Sequence, residues 1–221
     1  MFKKIKWKRV IMYFLLILLV IVCFFPFYVM IINATRSNTE IVKGFGIVPG
    51  NFLIENYKSM VAKYDVIASF CNSVFVAVFA TGLSLYFSAF TAFGFFNYQF
   101  KGKNILFIIL LATMMIPSQV SIIGFYELNR KLKLLNSFVP LIIPGIASAG
   151  SVFFIRQYTE SALSTSLLEA ARIDGCGEFK IFHKIALPIM MPSIATMGIF
   201  SFVGNWNNYI TPLILLNKPE K

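Results

Sequence analysis

Residues Val10–Ile32 read VIMYFLLILLVIVCFFPFYVMII, twenty-three consecutive positions without a charge. A helix that crosses a bilayer needs about 20 mostly apolar residues. Lys3, Lys4, Lys6, Lys8 and Arg9 stand immediately before this run. A secretory signal peptide would have a shorter apolar core and a small-x-small cleavage site after it. Neither is present, so the reading is an uncleaved first span. The basic tail, residues 1–9, is expected on the cytoplasmic side. The whole chain agrees with a membrane origin: 58% of its 221 residues are hydrophobic and only 13% charged, and its mean hydropathy is +0.77. Soluble domains have about 45–50% apolar and about 25% charged residues.

The same length criterion, carried outward, divides the rest of the chain. Residues 33–65 are polar, with a turn at Pro49-Gly50-Asn51, and read as an external loop. Val66–Phe96 is a second span, long enough to tilt. Asn97–Asn104, with Lys101 and Lys103, is a short internal turn. Ile105–Phe125 is a third span, interrupted by Pro117-Ser118-Gln119. Glu127–Asn136 is a short external loop, and Phe138–Ile155 a fourth span broken by Pro140, Pro144 and Gly145. Arg156–Pro188 is a long internal loop, and Ile189–Tyr209 a fifth span bearing Pro192. The expected fold class is an all-α, polytopic membrane helical bundle.

The net charge of +11 excludes little by itself. Its distribution excludes a nucleic-acid binder, because the charges lie in short loops between apolar runs and not on one basic face. Eleven of the 20 Lys and Arg residues fall in internal segments. That excess is small, so the N-terminal cluster does most of the orienting. Cys23, Cys71 and Cys176 fall at different depths or on different sides, which predicts neither a disulfide nor a metal site. His183, the single histidine, has no acid–base partner that the sequence can assign, and reads as a solvated or interface residue.

The long internal loop carries the most specific pattern in the chain. It contains Glu169-Ala170-Ala171-Arg172-Ile173-Asp174-Gly175 and, after nine residues, Ile185-Ala186-Leu187-Pro188. Ser166 and Glu169 have the spacing of a capping box that opens a helix. Ala170 and Ala171 leave that helix thin, so another backbone can come close. Gly175 follows Asp174 where a left-handed C-cap is expected. Phe179, Phe182 and Ile185 give Glu178–Leu187 an apolar face, and Pro188 is expected to stop that second helix. An interfacial amphipathic element would also use two short helices, but it needs no such fixed spacing.

This loop resembles the EAA loop of bacterial ABC-importer permeases, written E-A-A-x3-G-x9-I-x-L-P, with every fixed position filled. Phe154-Ile155-Arg156-Gln157-Tyr158 before it, and Phe202-Val203-Gly204-Asn205-Trp206-Asn207-Asn208-Tyr209 after it, resemble the carbohydrate branch of that family. Pro26, Asn56-Tyr57, Asn72-Ser73, Lys101-Gly102-Lys103 and Ile116-Pro117 extend the likeness over nearly the whole chain. Two departures stand out. The family commonly has proline where Ser164 stands. It also has a sixth span after an external loop, whereas residues 66–221 read as a permease core cut before that span, with five spans of an expected six.

The resemblance implies the transmembrane subunit of an ATP-driven sugar or oligosaccharide importer in a bacterial cell membrane. It implies a second permease subunit, two ATPase subunits and an extracytoplasmic sugar-binding protein as partners. Coupling to the ATPases would run through Glu169, Ala170, Ala171, Asp174, Gly175, Ile185, Leu187 and Pro188. The chain has no Gly-x4-Gly-Lys-Ser/Thr stretch, so it is expected to bind no cofactor directly and to be no enzyme itself. ATP and Mg would be used by the partner ATPases. Ser118, Gln119, Asn205, Trp206, Asn207, Asn208 and Tyr209 combine amides, a hydroxyl and aromatic rings. They fit a sugar path, and equally helix pairing or an aromatic belt at the membrane surface. Two other functions remain open to the sequence: an ABC permease for a non-sugar solute, and a membrane interaction or assembly protein that transports nothing.

Overall fold

The computed structural model describes residues 7–117, 119–146 and 148–217. Among the described residues all regular structure is helical. Among them, four helical stretches are long and apolar enough to cross a membrane: Trp7–Ala34, Val66–Asn97, Val139–Ala162 and Glu178–Trp206. The chain divides into two compact units, Met1–Ala68 and Ser69–Lys221.

The first unit is built on α1 (Trp7–Ala34). Its side chains are apolar all round and almost all exposed, as expected of a helix whose surroundings are not water. Residues 33–65, expected as a loop, carry two helices, α2 (Asn38–Val42) and α3 (Leu53–Lys63). They fold back on the end of α1 through polar contacts. The Phe52 amide donates to the Thr35 carbonyl at 2.8 Å, and the Gly50 amide to Thr35 Oγ1 at 2.8 Å. The Asn56 amide group donates to the carbonyls of Ala34 and Arg36. Gly50 has to be glycine here, since a Cβ would stand 2.6 Å from the Thr35 carbonyl oxygen.

Long helix α4 (Val66–Asn97) leads into the second unit. Apart from Phe93, its buried positions are small: Ala77, Ala80, Thr81, Ser84, Ser88, Ala89 and Ala92. Small residues let backbones approach in a bundle that has no hydrophobic drive out of lipid. The expected third span, Ile105–Phe125, is split. α5 (Lys103–Thr113) ends before Ile116-Pro117, and the chain resumes as α6 (Ile122–Lys131). Proline lacks the amide donor and disfavours helix at the residue before it. The expected fourth span, Phe138–Ile155, is segmented by the same chemistry. α7 (Val139–Ile142) passes into a 3₁₀ turn at Ile143–Gly145 that contains Pro144, and α8 (Ala149–Ala162) follows.

Beyond α8 come α9 (Thr165–Ile173), α10 (Glu178–Ile181), a π-helical segment (Phe182–Ala186), α11 (Leu187–Trp206) and α12 (Ile210–Leu215). Pro188 does not stop a helix, contrary to expectation. It sits in the first turn of α11, which runs on directly from α10. The π segment supplies the reason. The Leu187 amide reaches back to the Phe182 carbonyl, five residues away. In this wider turn the carbonyl four residues before Pro188 is moved aside, where a regular helix would set it against the ring. Pro192 is likewise carried inside α11.

The core of the second unit joins α4, α8, α9 and the π segment. Ala89, Ala92, Phe93, Val152, Ile155, Leu168, Ile181, Phe182 and Met190 are buried in one cluster. Ala89 is fully buried against these neighbours, so Ala89→Leu should overpack it at a cost of about 1–3 kcal/mol. Ile199, 68% exposed, should tolerate Ile199→Leu within about 0.5 kcal/mol. Thermal unfolding of the detergent-solubilised protein, followed by size exclusion, distinguishes the two. Equal midpoints would mean that the small-residue face of α4 is not closely packed.

Candidate functional site

The loop helix α9 begins two residues earlier than the capping-box reading expects. Ser164, not Ser166, is the N-cap residue, and its hydroxyl lies 2.6 Å from that of Ser166 rather than on a backbone amide. The end of the helix follows the sequence closely. Gly175 takes φ +79°. Its amide donates to the Arg172 carbonyl at 3.0 Å, and the Cys176 amide to the Ala171 carbonyl at 2.9 Å. These two bonds form a Schellman motif, which requires a left-handed residue between them. A Cβ on Gly175 would meet nothing within 4 Å, so conformation alone selects glycine.

The two faces of α9 differ. Leu168 and Ala171 are buried in the core, at 1% and 7% exposure. Glu169, Ala170, Ile173 and Asp174 are exposed and lie three to four residues apart, on one side of the helix. Ile173 is 87% exposed and Phe179, beyond the turn, 67%. Ala171 thus turns inward, and of the alanine pair only Ala170 thins the outer surface. Ile185 and Leu187 are half-buried against the core, and Pro188 is exposed.

A polar cluster that sequence reading missed fastens this loop to the end of α4. Arg172 Nε donates to Glu178 Oε1 at 2.6 Å, and its Nη2 to Glu178 Oε2 at 3.2 Å and Asn97 Oδ1 at 2.8 Å. The Tyr98 hydroxyl donates to Glu178 Oε2 at 2.6 Å, and Asn97 Nδ2 to the same oxygen at 3.2 Å. Glu178 lies in the loop, ahead of the apolar run that begins at Ile189. The Arg172 guanidinium, followed by the Tyr98 hydroxyl, holds its carboxyl down at about 2. A lowered folded pKa stabilises above the ordinary carboxylate value and is lost as pH falls from there toward about 2. The Arg172–Glu178 pair is therefore fully ionised at neutral pH. Only the separation of Asn97 and Glu178 by 81 positions hid it.

His183, read as a solvated or interface residue with no assignable partner, has two partners in the fold. Its Nδ1 lies 2.8 Å from the Phe179 carbonyl, and its Nε2 lies 3.0 Å from the Tyr86 hydroxyl on α4. The carbonyl can only accept, so Nδ1 carries a proton, and in the neutral ring the tyrosine donates to Nε2.

At the other end of the second unit a cleft of about 730 Å³ opens between α6, α7, the 3₁₀ turn, the end of α11 and α12. Gln119, Asn205, Asn207, Asn208 and Tyr209 all line it, with Pro140, Pro144 and Gly145 on the segmented stretch. Ser118 lies outside the described residues. Trp206 does not line this cleft. Its ring meets Phe70 edge-on at 5.6 Å and stacks with Phe202 at 6.0 Å. Asn205 Nδ2 donates to Thr81 Oγ1 of α4 at 3.1 Å, which pairs two helices as well as facing the cleft. Pro117 and Pro192, which also fall within expected spans, do not line the cleft.

Residues 84–220 match the family described as binding-protein-dependent transport system inner membrane component. The chain belongs to that family. Its relatives include the arabinooligosaccharides transport system permease protein AraQ of Halalkalibacterium halodurans, 35% identical over 89% of this chain and 71% of that one. The lactose transport system permease protein LacG of Rhizobium radiobacter is 34% identical over 96% of this chain and 77% of its own. A crystal structure of a bacterial ABC transporter involved in the import of the acidic polysaccharide alginate contains a chain with the same fold. That chain gives a TM-score of 0.83 at 24% identity, over all of this chain and 79% of that one. This protein is thus a multi-pass inner-membrane permease of the ABC-importer type.

The Arg172–Glu178 pair is testable by a double-mutant cycle. Both side chains are more than a third exposed, so the coupling should be modest, roughly 0.5–1 kcal/mol. It would be read from the thermal midpoints of Arg172→Ala, Glu178→Ala and the double variant. Strict additivity would mean that the two groups do not support each other.

Proposed function

We propose that this chain is the transmembrane subunit of an ATP-driven sugar or oligosaccharide importer. It would form the translocation path with a second permease subunit, and an extracytoplasmic binding protein would deliver the solute. ATP hydrolysis belongs to two separate ATPase subunits. Sugar-transport relatives that align with most of this chain support the substrate class. One observation carries the coupling role: α9 is locked to the core along one face while the other presents Ile173 at 87% exposure, beside Glu169, Ala170 and Asp174. Such a helix is a lever with a bare contact surface. An ATPase cleft that closes on ATP would draw the loop with it, and the Arg172–Glu178 cluster would pass that displacement to α4. The cleft beside Asn207 would then open alternately to either side of the membrane. The nucleotide drives this only by binding one state more tightly than the other.

Gly175 tests the lever. Valine at φ +79° is strained by about 1–3 kcal/mol, and the loop can relieve that strain by turning Glu178 and Phe179 away. Gly175→Val is expected to abolish sugar uptake and to uncouple ATP hydrolysis in the assembled complex. Gly175→Asn should keep most activity, because asparagine tolerates the left-handed region. Glu169→Ala should retain partial uptake, since one exposed ion pair is worth about 0–1 kcal/mol. Normal transport by Gly175→Val, at equal amounts of complex, would rule out a conformational role for this turn.

The orientation proposed is an N-terminus and coupling loop in the cytoplasm. In a cysteine-free background, Lys131→Cys should react with a membrane-impermeant maleimide in intact cells. Lys101→Cys should react only after permeabilisation. The reverse pattern would invert the topology and remove the ATPase contact.

A further inference from the structure

The cleft beside Asn207 bears on which solutes this permease can take. Among the described residues, none of the fourteen that line it is Asp, Glu, Lys, Arg or His. The apolar segments around it share that property: no charge occurs in residues 66–100, 104–126, 137–155 or 185–217. Arg156 on α8 is not among the residues lining the cleft. Its Nη2 pairs with Glu160 Oε1 at 2.6 Å, and its guanidinium carbon lies 4.1 Å from the centre of the Phe107 ring. Arg130 is paired with Glu127 at 2.7 Å on α6. The N-terminus of α6, at Ser121, turns some partial positive charge toward the cleft. That is too little to offset a full, desolvated anion.

We infer that this cleft passes an uncharged, hydroxyl-rich solute, a neutral oligosaccharide, and discriminates against uronates and sugar phosphates. The inference rests on the importer function proposed above. The fold does not decide the matter, since the importer of an acidic polysaccharide contains a chain of the same fold. The lining does. Asn207 and Asn208 amides both donate and accept, which matches a hydroxyl that does the same. Tyr209 and Phe125 add flat apolar faces. A carboxylate or phosphate in the closed cleft would lose its water and gain no cation from this chain in return, and buried charges are stable only when paired.

The test places opposite charges at one exposed lining position. The complete complex, with its second permease, ATPases and cognate binding protein, is reconstituted in liposomes. The solute is the one that the binding protein retains, identified by native mass spectrometry. The variants are Asn207→Lys and Asn207→Asp, compared with wild type at equal subunit stoichiometry. For a neutral solute both charges should lower uptake, by factors within ~3-fold of each other, because each adds an uncompensated charge to a closing cleft. The retained solute should itself carry no charge at pH 7. An anionic retained solute that the wild-type complex accumulates would overturn the inference and leave the importer function standing. So would a split of more than ~10-fold in favour of Asn207→Lys, the sign expected for attraction of an anion. Uptake unaffected by either variant would also overturn it, by removing the cleft from the path. Failure of the wild-type complex to accumulate the retained solute, with no stimulation of ATP hydrolysis, would overturn the proposed function as well.

Discussion

Burial of Phe182 is the contact on which the second unit depends. The side chain is fully buried and sits at the first position of the π segment. Its ring meets Phe90 edge-on at 5.0 Å and Phe93 at 5.4 Å, both on α4. In lipid, packing of this kind takes over from the hydrophobic effect as the force between helices. It also fixes the phase of everything attached. α9 lies against the same cluster through Leu168 and Ala171, and α11 leaves it through Met190. The loop is thus seated on the bundle before any polar contact is added.

The polar contacts around that seat have a different role. Arg172, Glu178, Asn97 and Tyr98 are partly exposed, so their attraction is screened and their contribution to stability is small. Their value lies in direction. A guanidinium held by both carboxylate oxygens fixes an angle as well as a distance. The packing holds the loop in place, and the bidentate pair limits how it can rotate. The unit therefore has one end with fixed orientation and another, around the cleft, where proline and glycine interrupt the helices.

Much of this was legible in the sequence, for identifiable reasons. The spans of α1 and α4 follow from uncharged runs, which lipid leaves no choice but to fold as helix. The turn at Gly175 was legible because few residues tolerate positive φ, and Asn205, Asn207 and Asn208 stand out as amides in an apolar run. What escaped was long-range or depended on register. The Asn97 and Tyr98 partners of Glu178 stand at the end of α4 and just beyond it, 81 and 80 positions upstream, and the Tyr86 partner of His183 is on α4, 97 positions upstream; no local pattern points to them. Pro188 looked like a terminator because helical rules assume a regular turn. The inward face of Ala171 and the turning of Trp206 toward Phe70 depend on neighbours that only the fold supplies.

The π segment has one more consequence. A π turn contains one residue more than the α turn it replaces, and each residue rotates a helix by about 100°. The exposed side of the loop and the lining of the membrane helix are therefore set out of phase by a single surplus position between Phe182 and Ala186. The nine residues separating Gly175 from Ile185 count that position. Shortening the interval by one would preserve every residue type of the motif while swinging its two halves to different azimuths. The spacing of the motif is thus a measure of angle, written as a length.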